Sequence, residues 1–466
     1  MEVEQFLSHG DSKMPTVLKY EFELDKNADF ANDDENFDPF ADRKELKNAT
    51  TSFDTFVHLF KSSVGSGVLT MPMAFTQAGI VAGSFLMVLV ASVCINCSYV
   101  LVKSAHKLYR KTRKSAMSYA EVADAAFKNG PQPVRKFANT ARNTVTFGLG
   151  LAYFGACSVF AIIAANNFKQ VLEHNVPSIQ LNIRYYIATL LIPLIFLCWI
   201  RDLKLLAPVS LISSICMIYG LLVSVYLMIR DYGSDLIKDV EIVAVQKVSL
   251  WPTFLSMTVF SIMSIGTVMP LENNMRNPKK YLGLCGILNL ALFIVSILYA
   301  AFGLIGYLTY GDKCHSTITL NLPLNNYLSQ SVKLAIAISV FLGYSLMFYV
   351  CFEIVWTAIK DKFHKNPLRW NYVFRSLMVF LTIFIAFVQP NIIPLVGLIG
   401  ALCFSICGLI LPILIEIFTF WDEGWGLCKF GTYKNALFLF VSSIVLVFGT
   451  FNACKDIINT DFTETA

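Results

Sequence analysis

Eleven apolar stretches, most of them close to twenty residues long, constrain this chain more than any other feature of its sequence. They run at about 53–77, 80–102, 145–172, 185–200, 205–229, 251–271, 282–310, 334–356, 370–388, 392–420 and 436–453. A helix rises 1.5 Å per residue, so about 20 residues cross a hydrocarbon core of ~30 Å. A membrane β-strand needs only about half that length. The expected class is therefore an all-α integral membrane protein with eleven transmembrane helices in a lipid bilayer. Composition agrees: 56% of the 466 residues are hydrophobic and 15% charged, too little polar surface for a soluble protein of this size. A cytosolic enzyme, a disordered chain and a secreted disulfide scaffold are excluded. The net charge of +5 is modest and no basic stripe suggests nucleic acid as a partner. Nine of the twelve Cys lie inside apolar stretches, where they act as small hydrophobes.

The first 52 residues differ from the rest. They hold 13 Asp/Glu against 6 Lys/Arg, including the run Asn32-Asp33-Asp34-Glu35, and lack apolar periodicity. That pattern reads as a disordered acidic tail at 1–52, without the basic-then-apolar design of a cleaved signal peptide. With the N-terminus inside, the inner segments carry 28 Lys/Arg and the outer ones 8. The positive-inside rule thus expects a cytoplasmic N-terminus, with residues 454–466 as a short extracytoplasmic tail. The inner loop at 103–142 carries ten of those charges. Within it Ser118-Tyr119-Ala120-Glu121 is a capping box that opens a short helix, expected on the membrane surface or as a solvated linker.

The first span contains Gly65-Ser66-Gly67 at its middle and Pro72 five residues later, poor chemistry for an uninterrupted helix. Five segments on, Ser264-Ile265-Gly266 followed by Pro270 repeats the theme. Breaks at positions one and six are what an inverted repeat of five plus five helices produces, about 53–229 and 251–420, with 436–453 as an extra helix. Unwound backbone at membrane depth is tolerated where it lines a cavity. Freed amides can then hold a carboxylate and freed carbonyls an ammonium, a site for a zwitterion. Alternatively, such residues simply permit close helix packing or a kink. Two breaks in matching places favour the cavity.

At these residues the sequence resembles the proton-coupled amino acid transporter (PAT) group of the amino acid/auxin permeases. The likeness is carried by His58-Leu59-Phe60-Lys61-Ser62-Ser63-Val64-Gly65-Ser66-Gly67-Val68-Leu69 with Met71-Pro72-Met73-Ala74-Phe75. It is carried also by Pro270-Leu271-Glu272-Asn273-Asn274-Met275-Arg276-Asn277-Pro278, Gly306-Tyr307-Leu308-Thr309-Tyr310-Gly311-Asp312 and Ser316-Thr317-Ile318-Thr319-Leu320-Asn321-Leu322-Pro323. It spans about residues 51–452. It implies the leucine-transporter-like fold, symport of small neutral amino acids with protons, and a proton-coupling histidine at His58. Two departures stand out. The group usually has Phe-x-x-Glu-Gly-x-Gly in span six, whereas Met263 and Ser264 replace Glu and Gly here. It also pairs a Cys at the position of Cys314 with one in the loop after span three, but residues 168–184 contain none.

His58 is the one His of six that lies inside a span, two helical turns before Gly65. An ionisable group there is a functional-site hypothesis, and His titrates across ordinary pH gradients. The competing reading is a neutral His bonded to a neighbouring helix. Lys61 either repels or replaces a cation or snorkels towards the inner vestibule. Ser63, Gly65, Ser66 and Gly67 are expected to meet the substrate carboxylate, and Phe260, Ser261 and Ser264 its amino group and side chain. Tyr153 and Tyr344, mid-span in segments three and eight, either cap the pocket or pack in the core, with packing favoured. No Walker motif, metal-spaced Cys/His set or hydrolytic triad is present, so the expectation is a transporter without cofactor, the proton serving as coupling ion. Rival readings are an amino-acid sensor signalling through a cytosolic partner of its tail, and a proton-independent facilitator. The plasma membrane and lysosomal or endosomal membranes are both compatible.

Overall fold

The computed structural model describes residues 38–41, 43, 49–201, 203–231, 240–283, 285–359, 366–421 and 430–463. Among these every regular element is helical, and one isolated bridge joins Thr50 to Met275. Span one is two helices, α1 (Ser52–Ser63) and α2 (Gly67–Ala78). Span two is α3 (Ile80–Thr112), followed by the connector α4 (Tyr119–Lys128). Span three is α5 (Ala138–Asn175), and span four is the pair α6 (Ile183–Thr189) and α7 (Leu191–Cys198). Span five is α8 (Leu203–Asp231). Span six is again two helices, α9 (Trp251–Ile262) and α10 (Ile265–Asn273). Spans seven, eight and nine are α11 (Ile287–Tyr310), α12 (Tyr327–Ile359) and α13 (Pro367–Val388). Span ten joins α14 (Ile392–Leu398) to α15 (Leu411–Thr419) through a π-helical stretch, Ile399–Ile410. Span eleven is α16 (Phe430–Ile444), a π-helical stretch at Val445–Gly449, and α17 (Thr450–Thr463).

Nine of these stretches are long and apolar enough to cross a bilayer, among the described residues. Span four is shorter, at Ile183–Cys198, and span one crosses through its two halves. All eleven expected segments are helices, in a leucine-transporter-like arrangement of five plus five with one extra. Their ends differ: α3, α5 and α12 run several residues beyond the apolar limits, because hydropathy stops at the first charges while the helix does not. At the centre, α2 packs on α9 and on α11, while α5 and α12, third and eighth in order, lie along one another. Large apolar side chains such as Phe85, Phe147, Ile192, Leu222 and Phe440 stay exposed, a surface that lipid covers.

Two segments expected on the inner side are better packed than the sequence suggests. The Ser118 capping box forms as expected, but α4 is neither a surface helix nor a solvated one. Tyr119, Val122, Ala123, Ala126 and Phe127 are buried against α5 and α15. Within the expected tail, Phe40 and Arg43 are buried, and Thr50 pairs its backbone with Asn274 and Arg276. Residues 38–41, 43 and 49–51 thus belong to the packed body. The acidic run at 33–35 lies outside the described residues.

Candidate functional site

Both sequence-marked breaks are real interruptions. Helix α1 ends at Val64, whose backbone is extended (φ −85°, ψ 92°), and α9 ends at Met263 (φ −75°, ψ 107°). Beyond them Ser66 starts α2 and Ser264 starts α10 without side-chain caps. The first N–H groups of each outgoing helix therefore lack a protein acceptor. Those of Ser66 and Gly67, and of Ile265 and Gly266, have no hydrogen-bond partner among the described residues. Helix N-termini of this kind favour an anion.

The breaks lie against each other. Ser63 Oγ donates to Ser264 Oγ at 2.9 Å, and one turn away Ser62 Oγ and Thr267 Oγ1 are 3.3 Å apart. The fully buried Tyr299 of α11 closes the loop of span one: Gly65 N–H donates to its hydroxyl at 3.3 Å, which donates to the Ser63 carbonyl at 3.1 Å. Space remains at the centre, because a Cβ built on Gly65 would meet nothing within 4 Å. At Gly67 the opposite holds: a Cβ would stand 2.8 Å from Ser261 Cα, so the glycine lets α2 and α9 touch. Ser261 Oγ is spent on that contact, donating to the carbonyls of Gly67 (3.2 Å) and Met257 (2.8 Å).

Of the aromatic candidates, Tyr153 reaches the site, its hydroxyl occupying the place where a Cβ on Gly266 would fall. Phe260 is half-buried beside the break and meets Phe404 of the π-helical stretch edge to face, centroids 6.1 Å apart. Tyr344 is placed elsewhere: its hydroxyl is 2.5 Å from Thr382 Oγ1 of α13, and its ring stacks on Phe348. Met263, which stands where the resemblance expects Glu, is buried against span ten. Its Cγ, Cε and Sδ fill the room left by Gly408, within 2.8–3.0 Å of where that residue's Cβ would be.

His58 is exposed rather than buried. Helix α1 packs through Thr55, Leu59 and Ser63, a stripe at four-residue spacing, and this turns Asp54, His58, Lys61 and Ser62 to the open side. Lys61 Nζ reaches Ser210 Oγ of α8 at 3.1 Å. By contrast α2 is buried along most of its length, so the α1 half of the break is open and the α2 half closed.

Sequence reasoning missed two groups. Tyr299 looks like one more residue of an apolar span, and only the neighbouring break shows what its hydroxyl is for. Glu272 reads as a span-end carboxylate yet is fully buried in a network. Arg43 Nη1 pairs with Oε1 at 2.8 Å, His106 Nε2 lies 2.9 Å from the same oxygen, and the Tyr109 hydroxyl donates to Oε2 at 2.8 Å. The pattern that offered a signal is the Pro270-to-Pro278 motif itself. Cys314, which stands at the position of a family half-cystine but lacks the family partner in sequence, is a free, buried thiol, and Cys454 is free and exposed.

Two half-helices broken opposite one another around open space, inside a five-plus-five bundle, define a secondary transporter, not an enzyme. A family model for the transmembrane amino acid transporter protein family matches residues 48–454. The Drosophila melanogaster proton-coupled amino acid transporter-like protein pathetic is 41% identical over 457 residues, covering 98% of this chain and 95% of the relative. The probable amino acid transporter skat-1 of Caenorhabditis elegans is 24% identical, covering 84% and 85%. Among solved structures, a substrate-bound, outward-open sodium-coupled sialic acid symporter aligns with TM-score 0.50 at 12% identity, covering 88% of this chain and 91% of that one. At that identity the likeness shows the fold alone. The chain belongs to the transmembrane amino acid transporter family, in its proton-coupled amino acid transporter group.

Proposed function

We propose that this transporter carries small neutral amino acids together with protons, by alternating access around the breaks of spans one and six. The observation that supports it most is the open space at Gly65 between two sets of unpartnered N–H groups, bridged by Ser63 and Ser264. A zwitterion would place its carboxylate on the amides at Ser66 and Gly67, with its ammonium towards the carbonyl ends of α1 and α9. The surroundings are hydroxyls, Phe260 and Tyr153, with no carboxylate at Met263, which suits an uncharged side chain. In this reading Lys/Arg bias puts α1 on the cytoplasmic side. The open α1 half then corresponds to an inward-facing state, and His58 on its open face exchanges its proton with the cytosol. Protonation of His58 would be felt two turns away at Val64–Ser66, through the helix that both share.

The packing of Met263 against Gly408 supports a second reading, a proton-independent facilitator, since it leaves span six without a titratable group at the break. Uptake of labelled glycine, alanine and proline into proteoliposomes, with and without an inward proton gradient, separates the two. Gradient-stimulated uptake that His58→Ala loses supports symport; gradient-independent uptake in both proteins supports the facilitator.

A further inference from the structure

On the side of the bundle opposite the open α1 half, the α2 half is closed, and a lysine does part of the closing. Between α11 and α12 the chain makes a 3₁₀ turn, Ile318–Asn321, that lies on α2 and also meets α5 and α12. Ile318 is buried and reaches, with Pro72 of α2, the place where a Cβ on Gly306 would fall. Lys333, near the start of α12, is fully buried at this junction. Its Nζ donates to the Thr319 carbonyl at 2.6 Å and to Gln170 Oε1 of α5 at 2.5 Å. Gln170 Nε2 in turn donates to the Leu320 carbonyl at 3.3 Å. Both acceptors of the ammonium are neutral, and no carboxylate pairs with it among the described residues. One ammonium thus joins three segments: α5, α12 and the turn that lies on α2.

We propose that Lys333 is the latch of the closed side: its ammonium holds the turn Ile318–Asn321 to α5 while α1 is open, and releases it when the α2 side opens. The inference rests on the alternating access of the proposed function and on nothing about substrate or coupling ion. The packing divides where the latch sits. Helix α2 packs on α9 and α11, whereas α5 and α8 both pack on α12, and Lys333 ties the turn on α2 to this second group. A cation without a counter-charge is a poor choice for a permanent joint. Burial of an ammonium is costly, and an apolar side chain of similar volume would hold a static junction at least as well. A cation bonded only to neutral oxygens gains from water as soon as the junction parts, which suits a contact that must break in every cycle. One turn deeper on α5, Asn167 is fully buried with its Oδ1 lacking a partner among the described residues. It lies about four helical turns from Tyr153, on nearly the same face, so an unsatisfied polar group already marks the way from the latch to the breaks.

Hydrogen exchange read by mass spectrometry on the full-length protein in nanodiscs tests this, with thermal unfolding alongside. Lys333→Met keeps an unbranched side chain and removes its charge. The expected result is exchange faster on the order of 10-fold at residues 317–322, the effect of losing hydrogen bonds to a charged group. Exchange at 52–63, helix α1, should slow in the same variant, because opening one side closes the other. Its unfolding temperature should not fall below that of wild type. Gln170→Ala removes one acceptor and leaves the lysine; it should move both segments in the same directions by less, and serves if Lys333→Met misfolds. Tyr219→Phe breaks a hydrogen bond to Ser331 between α8 and α12, near the latch, and should move neither segment. Wild type with and without alanine reads alternating access by itself, from opposite changes at the two segments. Faster exchange confined to 317–322, a change of the same sign at both segments, or no change in either variant would each overturn the inference.

Discussion

Two glycines two residues apart should respond in opposite ways to the same substitution. A Cβ at Gly65 meets nothing within 4 Å, and its φ lies outside the left-handed region, so Gly65→Ala fits the fold. Its stability should stay within about 0.5 kcal/mol of wild type. The added methyl projects into the space where the proposed function puts the substrate's charged ends. Loss of one hydrogen bond to a charged group costs about 1.5–3 kcal/mol, equivalent to a rise in KM on the order of 10- to 100-fold. Gly67→Ala instead drives a methyl to within 2.8 Å of Ser261 Cα, a backbone atom that no rotamer change can move. Overpacking of that kind costs about 1–3 kcal/mol and separates α2 from α9. Thermal unfolding of the purified variants and labelled alanine uptake in proteoliposomes read the two quantities separately. A stable Gly65→Ala protein that transports with wild-type KM would refute the placement of substrate at this break.

Other substitutions probe the surrounding network. Tyr299→Phe removes the hydroxyl that serves both Gly65 N–H and the Ser63 carbonyl, and should lower stability by about 1–3 kcal/mol. Combined with Ser264→Ala, which frees Ser63 Oγ, its effect should be less than additive, because both act on one loop; strict additivity would mean the contacts are independent. Glu272→Gln leaves Arg43 buried opposite a neutral amide and should cost about 3–5 kcal/mol in denaturant unfolding. Arg43→Gln should cost less, since His106 and Tyr109 still hold the carboxylate; the reverse order would contradict the network. Burial pushes the Cys314 thiol up to about 12, so it stays protonated below that pH. At about pH 7.5 a maleimide should label the exposed Cys285 and Cys454 and spare Cys314; mass mapping that finds Cys314 modified or disulfide-linked would show otherwise.

The spans and the two breaks were legible because their causes are local. Apolar runs of bilayer length need no partner to be recognised, and Gly-Ser-Gly or Ser-Ile-Gly followed by Pro weakens a helix wherever it falls. What was not legible depends on which helix faces which. Nothing in the sequence distinguishes Tyr299, which serves a broken strand of backbone, from Tyr344, which bonds Thr382 in the core. The exposure of His58 follows from packing through Thr55, Leu59 and Ser63, a choice made by α10 and α11 and not by α1. Phe40 and Arg43 sat in an acidic, aperiodic stretch, and a single aromatic and a single cation carry no periodic signal. The π-helical stretch of span ten, which brings Phe404 and Gly408 to the site, is likewise invisible to a pattern that assumes 3.6 residues per turn.

The most direct test of the account is proton movement itself. Wild-type protein is reconstituted in proteoliposomes containing a pH-sensitive dye, with no imposed pH gradient, and alanine is added outside. The account predicts acidification of the interior that depends on alanine, falls on the order of 10-fold in Gly65→Ala at low alanine and disappears in His58→Ala. Alanine entry without any change in internal pH would contradict it.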